Sequence, residues 1–179
     1  MLVCPNCGAD DLIEGDDQCD VCQQPLTDLF IRVPECSVEA SLLRDQVGEL
    51  PVHPPVYVEP STTVGDALRL MVDNGIGCVL VVAPDGRGGE RLAGIFSERD
   101  AVVRFGAEAA AAHDKPISRY MTANPAVVSA SDKIAFAIQK MDVGGYRHLP
   151  VMEDAKPVSL ISIRDILRYL TERAAAATG

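Results

Sequence analysis

The chain has 179 residues, of which 47% are hydrophobic, and carries a formal net charge of −10. This hydrophobic fraction is enough for a buried core and excludes wholesale disorder. The negative charge repels phosphate backbones, and the chain has no Trp and only 4% aromatic residues, so we do not expect nucleic-acid binding. No apolar run reaches about 18 residues, and the N-terminal MLVCPNCGADD lacks the basic and apolar regions of a signal peptide. We therefore expect a cytoplasmic protein without a membrane span.

The first 28 residues contain four of the six cysteines, in the pairs CPNC and CDVC. A Cys-x-x-Cys turn brings two sulfurs to one side of the chain, and two such turns complete a tetrahedral four-thiolate site. The spacing resembles a short zinc ribbon or a rubredoxin-like pair of knuckles, and Gly8 suits the turn of the first pair. We predict that residues 1–28 bind zinc, with iron as the alternative, through Cys4, Cys7, Cys19 and Cys22.

Disulfides and thioredoxin-type redox chemistry are the competing interpretations of these cysteines. Disulfides require an oxidising compartment, and a thioredoxin-type Cys-x-x-Cys occurs once, within a βαβ pattern that this segment lacks. Metal also suits the small size of the module, because structural zinc contributes roughly 10–16 kcal/mol to the folding of such domains. Residues 1–28 contain no Lys or Arg, so we expect the module to dock to a protein or to be purely structural.

After a linker and leading helix at residues 29–46, the chain consists of two copies of one sequence repeat. Residues 47–82 align with 117–152 at an offset of 70 without gaps, and the closing Ser-x-Arg-Asp groups, at 97–100 and 162–165, align at an offset of 65. The offset changes because the turn of the first copy is five residues longer. We place the copies at residues 47–110 and 111–173, followed by a tail at 174–179.

Each copy predicts the order β-α-β-β-α. The helical stretches TVGDALRLMVDNG and KIAFAIQKMDVGG have apolar residues at helical spacing and end at Gly75 and Gly145. The apolar runs CVLVV, LAGIF, HLPVM and VSLIS predict strands, and a last helix begins near Ser97 and near Ser162. One copy is marginal in size, so we expect both to share a core, giving a mixed α/β (α+β) fold with a small metal module.

The repeated unit resembles the tandem cystathionine-β-synthase (CBS) domain pair, or Bateman module, over Val47–Thr171. The segments that carry the resemblance are YMTANPAVV, GYRHLPV, GIFSERD and SLISIRD. The resemblance implies two repeats packed with pseudo-two-fold symmetry, with two clefts that bind an adenosine-type ligand: AMP, ADP, ATP or S-adenosylmethionine. It also implies a non-catalytic regulatory role.

The resemblance further implies which residues contact the nucleotide. Asp100 and Asp165 would accept hydrogen bonds from ribose hydroxyls, and Ser97 and Ser162 would donate to phosphate near a helix N-terminus. The other implied contacts are Arg147 and His148 for the phosphates, and for the adenine Ala126, Val127 and Tyr146 in one cleft and Val56, Tyr57 and Ile76 in the other. The simpler alternative is that the serines only cap the last helices and the aspartates only complement the helix dipoles.

The two copies differ in a way that bears on function. Arg147-His148 of the second copy align with Gly77-Cys78 of the first, which offer no cation to a phosphate. We therefore expect one site, or two unequal sites, rather than two equivalent ones.

The sequence predicts a sensor rather than an enzyme. The three histidines, His53, His113 and His148, lie in no recognisable triad or metal motif, and no phosphate-binding loop occurs. We expect a homodimer that signals nucleotide level to a partner protein, which the sequence does not identify. The alternative is a metal-ribbon docking protein or a rubredoxin-like electron carrier whose CBS pair is structural or regulatory.

Overall fold

The computed structural model describes residues 4, 6–10, 12–13, 16–26, 36–51, 53–86, 88–105, 109–154 and 156–177. Linker residues 29–35 and the last two residues of the predicted tail lie outside this set. Within the described ranges, no helix is long and apolar enough to cross a membrane.

Both copies have the predicted order of elements, and the mixed α/β prediction is confirmed. The first copy contains β1 Tyr57–Val58, α2 Val64–Asn74, β2 Cys78–Pro84, β3 Glu90–Ser97 and α3 Glu98–Phe105. The second contains β5 Val128–Ser129, α5 Ile134–Gly144, β6 His148–Glu153, β7 Lys156–Ser162 and α6 Ile163–Ala177. The elements outside this order are α1 Ser37–Arg44, α4 Ala109–Ala112, β4 Thr122–Ala123 and 3₁₀ turns at Val47–Glu49 and Ile117–Arg119.

The strands form two sheets, with the orders β1-β2-β3-β4 and β5-β6-β7. Strand β1 runs parallel to β2, whereas β2–β3 and β3–β4 are antiparallel. The first five residues of β2 are all buried because its two faces pack into two different clusters. Val79 and Val81 belong to the larger cluster, and Cys78 and Leu80 pack with Ile95. Burial on both faces explains why CVLVV is continuously apolar rather than alternating.

The chain divides into two compact units that interleave the repeats. The first contains residues 1–53, 127–151 and 161–179, and the second contains residues 54–126 and 152–160. The segment that leads the first repeat therefore belongs to a unit built mainly from the second repeat. Repeat boundaries and compact units are different divisions of the same chain.

We call residues 45–53 and the repeat-equivalent residues 115–123, which precede the two copies of the β-α unit, the leaders. Backbone hydrogen bonds join the first leader to the rest of the first unit. The N–H of Val47 donates to the carbonyl of Asp132 at 2.8 Å, and that of Gly48 donates to Ala130 at 2.8 Å. A Cβ at Gly48 would lie 3.1 Å from the same Ala130 carbonyl oxygen, so the backbones approach closely. The leader is thus joined to the turn that precedes α5.

The second unit repeats this arrangement 70 residues away. The N–H of Ile117 donates to Thr62 at 2.8 Å, and that of Ser118 donates to Pro60 at 3.2 Å. Each leader consequently completes the unit that holds the first helix of the other repeat.

The leaders also satisfy the starts of two helices. The first N–H groups of a helix have no acceptor within the helix and need one elsewhere. The N–H of Val64, at the start of α2, donates to Lys115 at 2.9 Å, and that of Ile134, at the start of α5, donates to Asp45 at 3.1 Å. Neither helix start is satisfied by its own repeat alone.

Asp45 also holds α6 through its side chain, which is 4% exposed. Its Oδ1 accepts from Arg44 Nε at 2.9 Å, and its Oδ2 accepts from the Tyr169 hydroxyl at 2.7 Å and from Arg173. Burial by itself would raise the pKa of Asp45, but the hydrogen bonds from Tyr169 and Arg44 and the charge of Arg173 outweigh it and lower that pKa. The buried carboxylate therefore stabilises the fold while it is ionised.

We predict that Asp45→Asn lowers the free energy of unfolding at pH 7 by about 2 kcal/mol, the cost of weakening hydrogen bonds to a buried charged group. The pKa of Asp45 is lowered from 3.8 on folding, so its contribution is present above that value and is lost as the pH falls through the lower folded pKa. Urea unfolding should show a difference between variant and wild type that narrows as the pH falls below 3.8. The exposed Asp142→Asn is the matched control and should show little difference at either pH.

Candidate functional site

The four-cysteine module consists of two turns with the same backbone. The carbonyl of Cys4 accepts from the N–H of Gly8 at 2.9 Å, and that of Cys19 accepts from Gln23 at 2.7 Å. Gly8 has φ +77° and Gln23 has φ +58°, so both occupy the left-handed region. Gly8 suits this conformation as predicted, whereas nothing in the sequence pattern indicates that Gln23 takes the equivalent position.

The structure brings the four predicted metal ligands together. The Sγ atoms of Cys4, Cys7, Cys19 and Cys22 all lie within 4.8 Å of one another. Two of their separations, Cys4–Cys22 and Cys7–Cys19, are 3.7 Å. A tetrahedral site with Zn–S bonds of about 2.3 Å has S···S edges of about 3.8 Å, whereas a disulfide requires about 2.05 Å. The donor set fits a four-thiolate metal ion, and none of the six cysteines, all of which the structure describes, forms a disulfide.

The thiols of this cluster differ in acidity. Burial raises the pKa of Cys4 and of Cys7. Burial also tends to raise the pKa of Cys22, but hydrogen bonds from the Asn6 side chain and the Gln24 backbone outweigh burial and lower this pKa to about 7. A bound metal ion would supply the positive charge that ionised thiolates need at the buried positions, and it would cross-link the two turns.

In the second repeat, Ser162 and Asp165 meet at the start of α6. The backbone N–H and the hydroxyl of Ser162 both donate to Asp165 Oδ2, at 2.8 and 2.7 Å. Asp165 is 5% exposed, and no residue in the described ranges donates a hydrogen bond to its Oδ1, although His53 Nε2 lies 3.9 Å away. Asp165 therefore accepts from the backbone N–H that precedes α6, while the Ser162 hydroxyl donates to the same oxygen and the other carboxylate oxygen stays available.

In the first repeat, the corresponding carboxylate is fully engaged. The N–H and hydroxyl of Ser97 donate to Asp100 Oδ2 at 3.0 and 2.6 Å. Arg104 Nε lies 3.2 Å from Asp100 Oδ1, and the Thr122 hydroxyl donates to the same oxygen at 3.1 Å. Arg104 also donates to Thr122 at 3.1 Å. We call Arg104, Thr122 and Asp100 the latch, because together they occupy the oxygen that stays open in the second repeat.

Two sequence differences account for the latch. Position 104 aligns with Tyr169 at the offset of 65, and the Tyr169 hydroxyl donates to Asp45 instead. Gly94 allows β4 to lie close to β3, because a Cβ there would come within 2.5 Å of Met121 Sδ and 2.9 Å of the Thr122 carbonyl oxygen. The sequence comparison predicts unequal sites from Arg147-His148 and Gly77-Cys78. Aligning Arg104 with Tyr169 in the same comparison of the repeats would also have indicated the latch.

The other predicted contacts of the second repeat follow α5. Gly145 ends this helix in the left-handed conformation, with φ +63°. Tyr146 is 41% exposed, and its ring lies against Gly144, where an added Cβ would be 1.9 Å away. Arg147 is exposed, and its carbonyl accepts from the N–H of Ile163 at 3.0 Å, which brings it next to the start of α6. His148 is half-buried at the start of β6.

The predicted adenine contacts are distributed over both units. Val127 is half-buried, and its carbonyl accepts from Lys140 Nζ at 2.8 Å. Val56 and Ile76 are partly buried against the core of the second unit, and Ala126 is half-buried. The Tyr57 hydroxyl donates to the carbonyl of Pro157 at 2.6 Å, while 43% of the residue stays exposed.

Comparison with known proteins identifies the family. The sequence model of the CBS domain matches residues 47–105 and 117–172. The chain belongs to the CBS-domain family. It is 29% identical over 121 residues to a CBS domain-containing protein of Arabidopsis thaliana, a match that covers 68% of this chain and 22% of the plant protein. The chain thus spans less than a quarter of that relative.

Solved structures of CBS-domain proteins are also similar. One from Agrobacterium tumefaciens has a TM-score of 0.58 at 31% identity, covering 64% of this chain and 87% of that one. One from Pyrobaculum aerophilum, complexed with AMP, has a TM-score of 0.62 at 26% identity, covering 74% of this chain and 99% of that one. The resemblance to a CBS pair is therefore confirmed, and the family match begins after the four-cysteine module.

We predict that the purified chain holds one metal ion in the four-cysteine module and that Cys19→Ser loses it. Removing a ligand from a four-thiolate site leaves the remaining thiolates without a closed coordination shell. Cys36→Ser is the matched control, because this exposed cysteine lies outside the cluster and should leave the metal content unchanged. Elemental analysis and absorption spectra of protein purified without added metal provide the measurement. Absence of metal from the wild type would contradict the prediction, and an iron–thiolate spectrum would favour the electron-transfer alternative.

Proposed function

We propose that this chain is a non-catalytic sensor that binds one adenine nucleotide beside Asp165 and reports its level to a partner protein. The observation that carries the proposal is the open Oδ1 of a carboxylate that is 5% exposed. Support also comes from the similar CBS-domain protein of Pyrobaculum aerophilum, which is complexed with AMP. We therefore take AMP as the first ligand, ahead of ADP, ATP and S-adenosylmethionine.

The chemistry around Asp165 suits a nucleoside phosphate. Ser162 donates both of its hydrogen bonds to Asp165 Oδ2, so Oδ1 can accept a hydrogen bond from a ribose hydroxyl. The N-terminus of the 15-residue helix α6 carries a partial positive charge that favours a phosphate. Exposed Arg147, whose backbone touches the start of this helix, adds a cation within reach of the same region. His53 and His148 provide further polar contacts.

The first repeat does not offer the same opportunity. A ribose at Asp100 would have to displace both Arg104 and Thr122 from Oδ1, and the Arg104 guanidinium is already paired with that carboxylate. We therefore propose one nucleotide for each chain, held in the second repeat.

We assign binding rather than catalysis because the residues that converge near Asp165 are hydrogen-bonding and cationic groups suited to hydroxyls and phosphates. The proposal includes a homodimer in the cytoplasm. Large apolar side chains that are exposed at repeat-equivalent helix positions, Val102 of α3 at 75% and Leu167 of α6 at 55%, support an interface with a second copy.

We predict that AMP raises the melting temperature of the full chain. At about 100 times the dissociation constant, stabilisation by mass action is about 2.7 kcal/mol, or about 5–10 °C for a chain of this size. Asp165→Ala should weaken AMP binding at least about 10-fold, because the ribose loses a charged acceptor. Asp100→Ala is the matched control and should keep the affinity within about twofold. A screen of AMP, ADP, ATP and S-adenosylmethionine in which none raises the melting temperature would overturn the sensor function.

We predict that calorimetric titration gives one AMP for each wild-type chain and that Arg104→Ala exposes a second, weaker site. The substitution frees Asp100 Oδ1 from its ion pair and leaves only the Thr122 hydroxyl to be displaced. The matched control is Arg69→Ala, which removes an exposed arginine from α2 in the same unit. Two equivalent sites in the wild type would show that the latch does not close the first repeat.

A further inference from the structure

The four-cysteine module contacts the second repeat through a buried amide. Gln139 lies on α5 and is only 5% exposed, and its Nε2 donates to the carbonyl of Pro25 at 3.1 Å. Pro25 pairs with Gln18 in an isolated bridge, and the N–H of Leu26 donates to Asp17 at 2.9 Å. The acceptor therefore belongs to the short hairpin that carries two of the four cysteines.

The burial of Gln139 is peculiar to the second repeat. The equivalent residue of α2 is Arg69, whose side chain is 66% exposed. The Oε1 atom of Gln139 is buried, and no described residue supplies a hydrogen bond to it. A buried amide whose oxygen accepts no hydrogen bond costs free energy, so the position calls for an explanation. The hydrogen bond from Gln139 Nε2 to the Pro25 carbonyl is consistent with a docking contact that selects one position of the module.

Helix α5 connects this contact to the nucleotide site. Lys140, the residue after Gln139, donates from Nζ to the carbonyl of Val127 at 2.8 Å. The helix reaches its glycine cap at Gly145 six residues after Gln139, about 9 Å along the axis. Arg147 follows within two residues, and its carbonyl accepts from the start of α6. A displacement of α5 would therefore move residues that are joined to the start of α6, beside Asp165.

We propose that metal binding by the four-cysteine module tightens nucleotide binding at Asp165, and that Gln139 transmits the effect. The inference rests on the proposed function of that site. With metal bound, the cross-linked hairpin presents the Pro25 carbonyl to Gln139 and holds α5 in place. Without metal, the hairpin loses its cross-link, and the buried amide loses its remaining partner. Because coupling between two binding sites is reciprocal, AMP also tightens metal binding.

The test is calorimetric titration of AMP into the full chain, first loaded with zinc and then stripped by a chelator. We expect the dissociation constant to rise about 5- to 10-fold on stripping, within the usual range of coupling between sites. In Gln139→Leu the stripped and loaded proteins should bind AMP equally, because the apolar side chain cannot bond to Pro25. The repeat-equivalent Arg69→Leu is the matched control and should keep the full difference.

The outcomes separate this inference from the sensor function. Equal AMP affinity with and without zinc in the wild type overturns the coupling and leaves the sensor intact, whereas no AMP binding in either form overturns both. Hydrogen exchange tests the docking step without nucleotide: stripping zinc should reduce the protection of α5 amides in the wild type. Unchanged protection would overturn the docking step, and this comparison decides the matter even if Gln139→Leu does not fold.

Discussion

The exchange of leading segments between the two repeats is the constraint on which the other features depend. The starts of α2 and α5 need backbone acceptors, and they find them at Lys115 and Asp45, each in the leader of the other repeat. Neither unit closes without a segment from the other copy, so the repeats are stable only as a pair. The leader of the first repeat and the N-terminal module both belong to the unit that holds α5, and the module contacts α5 there.

The same exchange supplies the residues that face each carboxylate site. His53 reaches Asp165 from the end of one leader, and Thr122 reaches Asp100 from the end of the other. The two repeats therefore share their backbone arrangement, whereas the side chains around Asp100 and Asp165 differ. The Tyr169 hydroxyl donates to the buried Asp45, so among the described residues no group equivalent to Arg104 pairs with Asp165. The contact that stabilises α6 thus also leaves Tyr169 directed at Asp45 and not at Asp165.

The repeats, their element order and the four-cysteine cluster could be predicted from the sequence because each leaves a local pattern. Cys-x-x-Cys spacing and a constant offset between the copies can be recognised without knowledge of the fold. The leader exchange leaves no such pattern, since Val47 and Asp132 are paired only by tertiary structure. Gln23 was missed because left-handed backbone normally selects glycine or asparagine, and Gln139 because its burial depends on where the module docks. The role of Arg104 could have been predicted, because the offset of 65 aligns it with Tyr169, a different residue type.

The sign of the proposed coupling separates a mechanical effect from an electrostatic one. Zinc bound by four thiolates leaves two negative charges, more than the metal-free cluster carries when only Cys22, with its pKa of about 7, is ionised. In a chain with a net charge of −10, loading the module therefore makes the field less favourable for a nucleotide phosphate. Electrostatics alone would have metal weaken AMP binding and would make the effect fade as salt is added. Docking through Gln139 instead predicts that metal strengthens AMP binding and that salt changes this effect little, because an uncharged amide contact is screened weakly. A rise in affinity that persists in salt would therefore favour transmission through α5.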